Sequence, residues 1–362
     1  MGLRTGLIGT TGTEICGQHY PSEHTTPESP DLQKLFAQMR DEKCAVVAME
    51  VSSHALDLKR VWDTNFAVTA FTNLTQDHLD YHKTFESYFD AKAKLFSSNY
   101  PAKRVINIDS EWGKKLLQRC VSQHDEVITT GFDKAALIHP THIEYSHDST
   151  TVTLVARGKT HTFTYPLVGR FNVENIMTAF GIGLQLGWSS ESIVQGLMSA
   201  PSIPGRIQRV KTEHDGDIAV YVDYAHTPDA LAKAISCVKA LTDNNALVVF
   251  GCGGDRDSSK RPLMGAAALA ADYAIVTSDN PRTEDPIAII DDIVEGMGAG
   301  TDHYCVESDR KAAIALALEK ACPGDVVLIA GKGHEDYQIL GTEKVHFSDF
   351  EVAAAELERL FG

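Results

Sequence analysis

The chain has 362 residues and a formal net charge of -16, with 33 Lys and Arg residues against 49 Asp and Glu. This acidic balance argues against nucleic acid and against an anionic membrane as partners. With 43% hydrophobic and 23% charged residues the chain is neither disordered nor fibrous, and its length predicts two domains. Seven cysteines without a CxxC pair predict no disulfide framework and no thiolate zinc site, so we expect a cytoplasmic location.

In the first part of the chain, short apolar runs alternate with amphipathic segments, a pattern typical of parallel sheets covered by helices. Buried strands are predicted at 44–51, 66–72 and 104–108. Helices are predicted from Pro30 onward and over 85–98. Thr-rich alternation from 126 to 168 predicts antiparallel hairpins, and two helices follow over 172–186 and 190–199.

Two prolines and a glycine at 201–205 interrupt the helical periodicity, so we place a domain boundary there, between 203 and 204. Beyond it, strands are predicted at 218–222, 246–250, 273–277, 303–306 and 326–330. Helices are predicted at 228–241, 262–271, 286–297, 309–321 and 350–360. The alternation predicts a doubly wound α/β domain over 204–362.

Polar residues follow two consecutive predicted strands of the first domain, where ligands bind in open parallel sheets. Glu50 follows the first of these strands, and the run from Asp77 to His82 follows the next. A carboxylate beside imidazoles predicts a site for a hard divalent cation. The alternative is a pair of solvated polar loops.

Lys92 interrupts an apolar stripe that otherwise consists of aromatic and aliphatic residues, so we predict that it lies on the buried face of its helix. Burial lowers the pKa of a lysine, which makes the amine nucleophilic, for example toward carbon dioxide, with a carbamate as product. The alternative is that Lys92 extends its ammonium group to the surface.

Four predicted strands of the second domain end in glycines and charged residues of both signs. Arg256 and Arg282 offer bidentate contacts to carboxylates, while Asp279 and Glu335 suit ammonium groups. Such a mixture favours a zwitterionic amino acid over a polyanion, with surface ion pairs as the alternative. No G-x-x-x-x-G-K-[ST] segment occurs in the chain, so the sequence contains no phosphate-binding P-loop.

Five segments closely resemble the Mur ligase family, and the resemblance extends over essentially all 362 residues. They are 49–54 (MEVSSH), 71–82 (FTNLTQDHLDYH), 223–229 (DYAHTPD), 279–282 (DNPR) and 331–338 (GKGHEDYQ). The resemblance implies a partial central parallel-sheet ATPase domain over 1–203, followed by a C-terminal Rossmann-like domain that binds the incoming amino acid.

The DNPR segment is similar to that of diaminopimelate-adding members of the family. The resemblance therefore implies ATP-dependent and Mg²⁺-dependent amide bond formation in peptidoglycan precursor synthesis. The D-glutamate carboxylate of UDP-MurNAc-L-Ala-D-Glu would be phosphorylated to an acyl phosphate, which the amine of meso-diaminopimelate then attacks.

The same resemblance implies roles for individual residues. Leu58 departs from the family pattern, because some members have a glutamine there that touches the UDP-linked substrate. The implied catalytic residues and ligands of Mg²⁺ are Glu50, His78 and a carbamylated Lys92. Contact with the UDP-MurNAc-dipeptide is implied for Thr25, Thr26, Ser52 and Arg60, and a position around the nucleotide is implied for Asn172, Asn175, Arg206, Asp223 and His226. Contact with diaminopimelate is implied for Arg256, Asp279, Asn280, Arg282, Gly331 and Glu335.

Residues 1–10 resemble the strand that follows the P-loop helix in the family, so we expect an N-terminal UDP-binding domain and the P-loop to be missing. The chain alone is then expected to have little ligase activity. A second hypothesis is a non-catalytic module that binds diaminopimelate. A third is a metal-dependent hydrolase that uses Glu50, His78 and His82.

Overall fold

The structure is a computed structural model, and it describes residues 2–22, 24–75, 77–121, 126–298 and 302–362. Gln76, within the recognised segment 71–82, lies outside the described residues, as does Glu23. The chain forms two compact units. The first comprises 1–142, 152–163 and 173–199, and the second comprises 143–151, 164–172 and 200–362. The boundary between 203 and 204 stays a prediction.

The first half of the chain contributes two sheets. Its elements are β1 (Thr5–Gly9), β2 (Gly12–Ile15), β3 (Gln18–Tyr20), α1 (Ser29–Asp41), β4 (Val46–Met49), α2 (Ser53–Asp57), β5 (Val68–Phe71), α3 (Leu79–His82), α4 (Phe85–Ala93), β6 (Lys103–Asn107), α5 (Glu111–Val121), β7 (Val127–Thr130), β8 (Ile138–Tyr145), β9 (Thr150–Ala156), β10 (Lys159–Tyr165), α6 (Arg170–Gln185) and α7 (Ser190–Met198). One sheet has the strand order β3-β2-β1-β4, and the other has the order β10-β9-β8-β7-β6-β5.

Parallel pairing sets the direction of the strands that matter for function in this half. β1 pairs in parallel with β4, with Ile8 opposite Met49. β5, β6 and β7 are also mutually parallel. The carboxyl ends of β1 and β4 therefore lie at one edge of their sheet.

The second half of the chain is a doubly wound α/β domain, as predicted. Its elements are β11 (Gln208–Val210), β12 (Ala219–Asp223), α8 (Pro228–Lys239), β13 (Ala246–Phe250), α9 (Lys260–Ala268), β14 (Tyr273–Val276), α10 (Pro286–Glu295), β15 (Tyr304–Val306), α11 (Arg310–Lys320), β16 (Val326–Ala330), β17 (Tyr337–Leu340), β18 (Glu343–His346) and α12 (Asp349–Phe361). The main sheet has the order β11-β12-β16-β13-β14-β15, and all its pairs except β11 with β12 are parallel.

Two apolar cores cover the faces of this sheet. Side chains of α8, α9 and α10 pack on one face with Tyr221 and Val248, and side chains of α11 and α12 pack on the other with Val220 and Val249. Neighbouring residues of one strand thus enter opposite cores, which explains why these strands are continuous apolar runs. The strands end at a common edge, where the polar loops begin.

Several predictions for the first half need correction. The strand predicted over 44–51 is not buried, because β4 pairs only with β1 among the described strands, and Ala48 is exposed. β7 lies in the region predicted as hairpins but pairs in parallel with β6. The helix predicted over 85–98 ends at Ala93 and continues as a 3₁₀ turn over Lys94–Phe96.

Within the described part of the chain, no helix is long and apolar enough to cross a membrane.

Candidate functional site

The carboxylate of Glu50 is held at the shared end of β1 and β4. The Thr10 amide donates a hydrogen bond of 3.2 Å to Oε1, and the Thr10 hydroxyl donates one of 2.7 Å to Oε2. The hydroxyl of Thr25 lies 3.2 Å from that of Thr10. A Cβ at Gly9 would stand 2.6 Å from Glu50 Oε1, so the close approach of the carboxylate to β1 requires a glycine.

Thr26, Ser52 and Arg60 form a hydrogen-bonded network next to this carboxylate. The hydroxyl of Thr26 is fully buried, donates to the Glu50 carbonyl at 2.9 Å and accepts from the Ser52 amide at 3.0 Å. Arg60 donates to the Thr26 carbonyl at 3.0 Å. The structure therefore brings together the four residues predicted to contact the UDP-linked substrate, since Thr25 joins the network through Thr10.

A second cluster in the same unit consists of the rings of His54, His78, His82 and Tyr88. The ring centroids of His54 and His78 are 4.9 Å apart, and His82 stacks on Tyr88 at 5.1 Å. His82 is buried, with Nε2 2.9 Å from the Ser53 hydroxyl. Burial lowers the pKa of His82, which favours the neutral imidazole.

Lys92 lies against this cluster, because its Nζ is 5.0 Å from the centre of the Tyr88 ring. The His78 and Tyr88 centroids are 5.9 Å apart, so both residues lie near the same phenol. The side chain of Lys92 is half-buried beside the fully buried Phe89. Desolvation lowers the pKa of its ammonium group, which increases the population of the neutral amine.

The donor set of the first cluster suits Mg²⁺ in part. The Glu50 carboxylate and the Thr10 and Thr25 hydroxyls offer oxygen ligands, which hard cations prefer. The structure places His78 and Lys92 in the other cluster, and β4 and β5 belong to different sheets. In the described ranges, no three His, Cys, Asp or Glu side chains are arranged to hold a metal. The set Glu50, His78 and Lys92 therefore stays a prediction.

Asp223 ends β12 and is buried in a turn. It accepts hydrogen bonds from the amides of Ile207 at 2.8 Å and Ala225 at 2.9 Å. Desolvation raises the pKa of this carboxyl group. Because both oxygens bind backbone amides, the immediate effect of Asp223 is to fix the loop that carries His226.

The other residues predicted to surround the nucleotide occupy several positions. The Arg206 guanidinium lies 5.1 Å over the ring of Tyr224, and His226 Nδ1 is 2.8 Å from the Tyr224 carbonyl. Asn172 is buried and donates to the Val168 carbonyl at 2.8 Å, whereas Asn175, on the same helix α6, is exposed. The two asparagines are three residues apart and so share one side of α6.

The DNPR segment after β14 is connected to the loop after β16. Asn280 donates to Glu335 Oε2 at 3.0 Å, and Gln338 donates to the Asp279 carbonyl at 2.6 Å. Gly331 has a φ of +121°, and a Cβ there would lie 3.0 Å from Asp279 Oδ2. The structure thus brings Asp279, Asn280, Gly331 and Glu335 together.

Arg282 and Arg256 differ in how they are held. Arg282 Nη1 donates to the Gly254 carbonyl at 2.7 Å, which orients the guanidinium at the end of β13. Arg256 is exposed and donates to the Asp255 carbonyl of its own loop at 3.0 Å. The first arginine is therefore preorganised at the strand ends, and the second is not joined to the Asp279 and Glu335 carboxylates by a described contact.

Three residues near these loops were missed by the sequence reasoning. Lys332 and Arg310 are fully buried cations, and His334 packs on Tyr224 with ring centroids 5.2 Å apart. Burial, and then repulsion by Arg206, lower the pKa of His334. Lys332 had a usable signal, since only Gly331 separates it from the wholly apolar strand β16. Arg310 had none, because it reads as an ordinary first residue of a helix.

Two family models match the chain: the Mur ligase middle domain over residues 1–183, and the Mur ligase, glutamate ligase domain over 205–333. A protein of Gloeobacter violaceus named UDP-N-acetylmuramoyl-L-alanyl-D-glutamate--2,6-diaminopimelate ligase is 49% identical over 357 residues. A protein of the same name from Thermosynechococcus vestitus is 46% identical over 363 residues. The matches cover 98% and 99% of this chain and 72% of each relative.

Solved structures agree with these matches. A structure of a UDP-N-acetylmuramoyl-L-alanyl-D-glutamate--2,6-diaminopimelate ligase superposes with a TM-score of 0.70 at 34% identity, covering 99% of this chain and 73% of that one. The MurF ligase of Thermotoga maritima in complex with ADP superposes with a TM-score of 0.66 at 16% identity, covering 99% and 75%. At that identity the second likeness concerns the fold alone.

Proposed function

The chain belongs to the Mur ligase family, and from this premise we propose that it adds meso-diaminopimelate to the D-glutamate of UDP-MurNAc-L-Ala-D-Glu, with ATP as the source of energy. The reaction forms an acyl phosphate on the D-glutamate side chain. The amine of diaminopimelate then attacks the acyl carbon, the new amide bond forms, and phosphate leaves.

The observation that carries this proposal is the mixed charge at the strand ends of the second unit. Asp279 and Glu335 both lie near Lys332 Nζ, at 3.3 and 3.6 Å, and Arg282 is oriented by hydrogen bonds to the carbonyls of Gly254 and Asn280, the residue after Asp279. The distal end of diaminopimelate carries an ammonium and a carboxylate group. A carboxylate pair and an arginine fork match both groups, whereas the distal end of lysine offers only the ammonium group.

In the first unit, we propose that Thr25, Thr26, Ser52 and Arg60 orient the UDP-linked substrate, since they form one hydrogen-bonded network. Mg²⁺, when bound, supplies positive charge that offsets the charge of the transferring phosphoryl group, and the Glu50 carboxylate would hold it. His78 and a carbamate on Lys92 are the further proposed ligands.

We propose that Asn172, Asn175, Arg206, Asp223 and His226 contact the nucleotide. The support comes from Tyr224, because Arg206 and His226 both contact it and Asp223 fixes the turn between Tyr224 and His226. A guanidinium on an aromatic ring can stack with a base or pair with phosphate.

A second candidate, a non-catalytic module that binds diaminopimelate, has one observation in its favour. The 362 residues contain no P-loop segment, although the residues proposed to bind diaminopimelate are assembled. Without the backbone amides and lysine of that loop, ATP lacks its main phosphate contacts. On this second candidate, the 362-residue chain alone has little ligase activity.

Two measurements on the purified chain test both candidates. Ligand-observed NMR titrations to millimolar concentration compare meso-diaminopimelate with L-lysine, with Arg282→Leu as the variant that removes the carboxylate contact. Phosphate release is then measured with ATP, Mg²⁺, UDP-MurNAc-L-Ala-D-Glu and diaminopimelate. Preferential binding that Arg282→Leu abolishes, together with turnover, supports the ligase. Binding without turnover supports the module. Equal binding of the two amino acids overturns the assignment to diaminopimelate.

A further inference from the structure

Lys332 is a fully buried lysine with oxygen partners on three residues. Its Nζ lies 3.2 Å from Asn280 Oδ1, 3.3 Å from Asp279 Oδ1 and 3.6 Å from Glu335 Oε2. The ammonium group donates hydrogen bonds to Asn280 and Asp279, and the Glu335 carboxylate is its ion-pair partner. A buried cation is tolerated only when it is compensated in this way.

The exposed fractions of these side chains show which groups a ligand can contact and which group only supports them. The side chain of Lys332 is 0% exposed, while those of Asp279 and Glu335 are 10% and 19% exposed. The ammonium group therefore lies beneath the two carboxylates. A ligand that enters from solvent meets the carboxylates, and Lys332 acts on it only through them.

The backbone around the cluster keeps these partners in place. The Ile339 amide donates to Asn280 Oδ1 at 2.9 Å, so this oxygen accepts from both Ile339 and Lys332. Asn280 in turn donates to Glu335 at 3.0 Å. Removing Lys332 would leave two carboxylates with no buried cation between them, although Asn280 would still connect the loops.

A count of formal charges shows what Lys332 contributes. Asp279 and Glu335 are negative, Arg282 and Lys332 are positive, and the four sum to zero. Arg310 and Asp349, which lie at the same strand end, form an ion pair whose charges also sum to zero. A neutral group of charges suits a zwitterion, which is itself neutral. Without Lys332 the same group would be negative by one charge and would suit a plain ammonium group instead.

We propose that Lys332 is a positioning residue that sets the ligand specificity of this site, by cancelling one carboxylate charge so that an amino acid zwitterion is accepted in preference to a cation. The proposal rests on the proposed function, because it concerns the distal end of diaminopimelate.

The test uses NMR titrations of the 362-residue chain with meso-diaminopimelate and L-lysine. The variants are Lys332→Met, Glu335→Gln and the double variant Lys332→Met/Glu335→Gln, whose net charges in the group are minus one, plus one and zero. The matched control is Lys239→Met, because Lys239 pairs with Asp272 at 2.9 Å before β14, at the opposite end of the sheet. The readout is the ratio of the dissociation constant for lysine to that for diaminopimelate.

We expect this ratio to follow net charge. It should fall about tenfold in Lys332→Met, a size typical of one charge-assisted contact. It should recover in the double variant and be highest in Glu335→Gln, while the control equals the wild type. If Lys332 only stabilised the fold, removing the Glu335 carboxylate as well would not restore the ratio. If Lys332→Met does not fold, the fall from Glu335→Gln to the double variant measures the same effect.

The failures are distinguishable. A wild-type chain that shows no preference for diaminopimelate overturns the proposed function. A wild-type preference that Lys332→Met leaves unchanged, or that the double variant does not recover, overturns the role of Lys332 while the proposed function stands.

Discussion

The buried ion pair of Arg310 and Asp349 allows a quantitative prediction. Both side chains are 0% exposed, and Arg310 donates two hydrogen bonds of 2.7 Å to the two carboxylate oxygens. Arg310 also donates to the Ala330 carbonyl at 3.0 Å, one residue before Gly331. The pair therefore joins the first turns of α11 and α12 to the end of β16, where the proposed amino acid site begins.

Arg310→Met removes the cation and leaves the Asp349 carboxylate buried without its partner. Breaking a buried pair in this way costs about 3 to 5 kcal/mol. For a unit of this size, each kcal/mol lowers the melting temperature by about 2 to 4 °C, so we expect a decrease of about 6 to 20 °C. The double variant Arg310→Met/Asp349→Leu has no buried charge and should be about as stable as the wild type.

The matched control is Lys233→Met. Lys233 also pairs a helical carboxylate, Asp229, at 2.8 Å, but both side chains are about half exposed. An exposed pair contributes only about 0 to 1 kcal/mol, so the control should lose little stability. Urea unfolding followed by far-UV circular dichroism, together with hydrogen exchange of β16 peptides, measures the difference.

Tryptophan emission gives an internal reference for this experiment, because Trp62, Trp112 and Trp188 all belong to the first unit. We expect β16 exchange to accelerate in Arg310→Met with little change in the midpoint reported by tryptophan. A loss below about 1 kcal/mol, equal to that of Lys233→Met, would refute the reasoning. So would a double variant as unstable as the single one, since the penalty could not then be the unpaired charge.

Three further predictions concern single residues. Arg206→Met should raise the pKa of His334, because it removes a repelling charge and leaves burial, the larger cause of the lowered pKa, in place. The pKa of His334 is lower in the folded than in the unfolded protein, so the protein loses stability as the pH falls through the ordinary titration range of histidine. This loss should be smaller in Arg206→Met. An NMR titration that finds the same His334 pKa in the variant and in the wild type contradicts the assignment. Gly331→Ala should abolish diaminopimelate binding, because a φ of +121° is strained for alanine and the new Cβ would crowd the adjacent aspartate; normal binding in the same titration would argue against that crowding. Oxidised glutathione should join Cys16 to Cys44, whose sulfurs are 3.5 Å apart, with release of two glutathione thiols; peptide mass mapping should find this bond, and its absence would contradict the proximity.

The strands of the second half could be predicted closely from the sequence, and the physical reason is their burial. The runs predicted at 246–250 and 326–330 coincide with β13 and β16. A parallel strand covered on both faces must be apolar at every position, so its bounds are visible as the ends of an apolar run. The hairpin β17–β18 was missed because its residues are polar or exposed and carry no such signal.

The choice of strand partner could not be predicted in the same way. β4 and β5 are consecutive in the chain, and the sequence reasoning assumed neighbouring ends for them. They belong to different sheets, and none of the described contacts joins the carboxylate of Glu50 to the ring of His78, so their shared site stays a prediction. Strand pairing depends on segments that are distant in the chain. β4 pairs with β1, and the sequence pattern after Met1 indicates β1 only weakly.

Charge burial was the other feature that the sequence could not reveal. Asp279, Arg282 and Glu335 were found because charged residues at strand ends are expected to face ligands. Lys332 has the same local signal yet lies beneath the site, fully buried. A sequence position shows where a strand ends, whereas the depth of a side chain depends on which loops fold over it.

The Glu50 carboxylate and the Asp279 carboxylate share one structural feature at the end of a strand. Glu50 Oε1 would be 2.6 Å from a Cβ at Gly9, and Asp279 Oδ2 would be 3.0 Å from one at Gly331. In each case a carboxylate stands against a glycine of the adjacent chain segment, in space that any other residue would fill. The Thr10 amide and hydroxyl also hold the Glu50 carboxylate, whereas the buried ammonium group of Lys332 lies 3.3 Å from Asp279 Oδ1. The Glu50 carboxylate thus suits a cation. At Asp279, a second carboxylate, that of Glu335, lies nearby, and the two together would repel the carboxylate of a zwitterion. Lys332 is needed there to offset this repulsion.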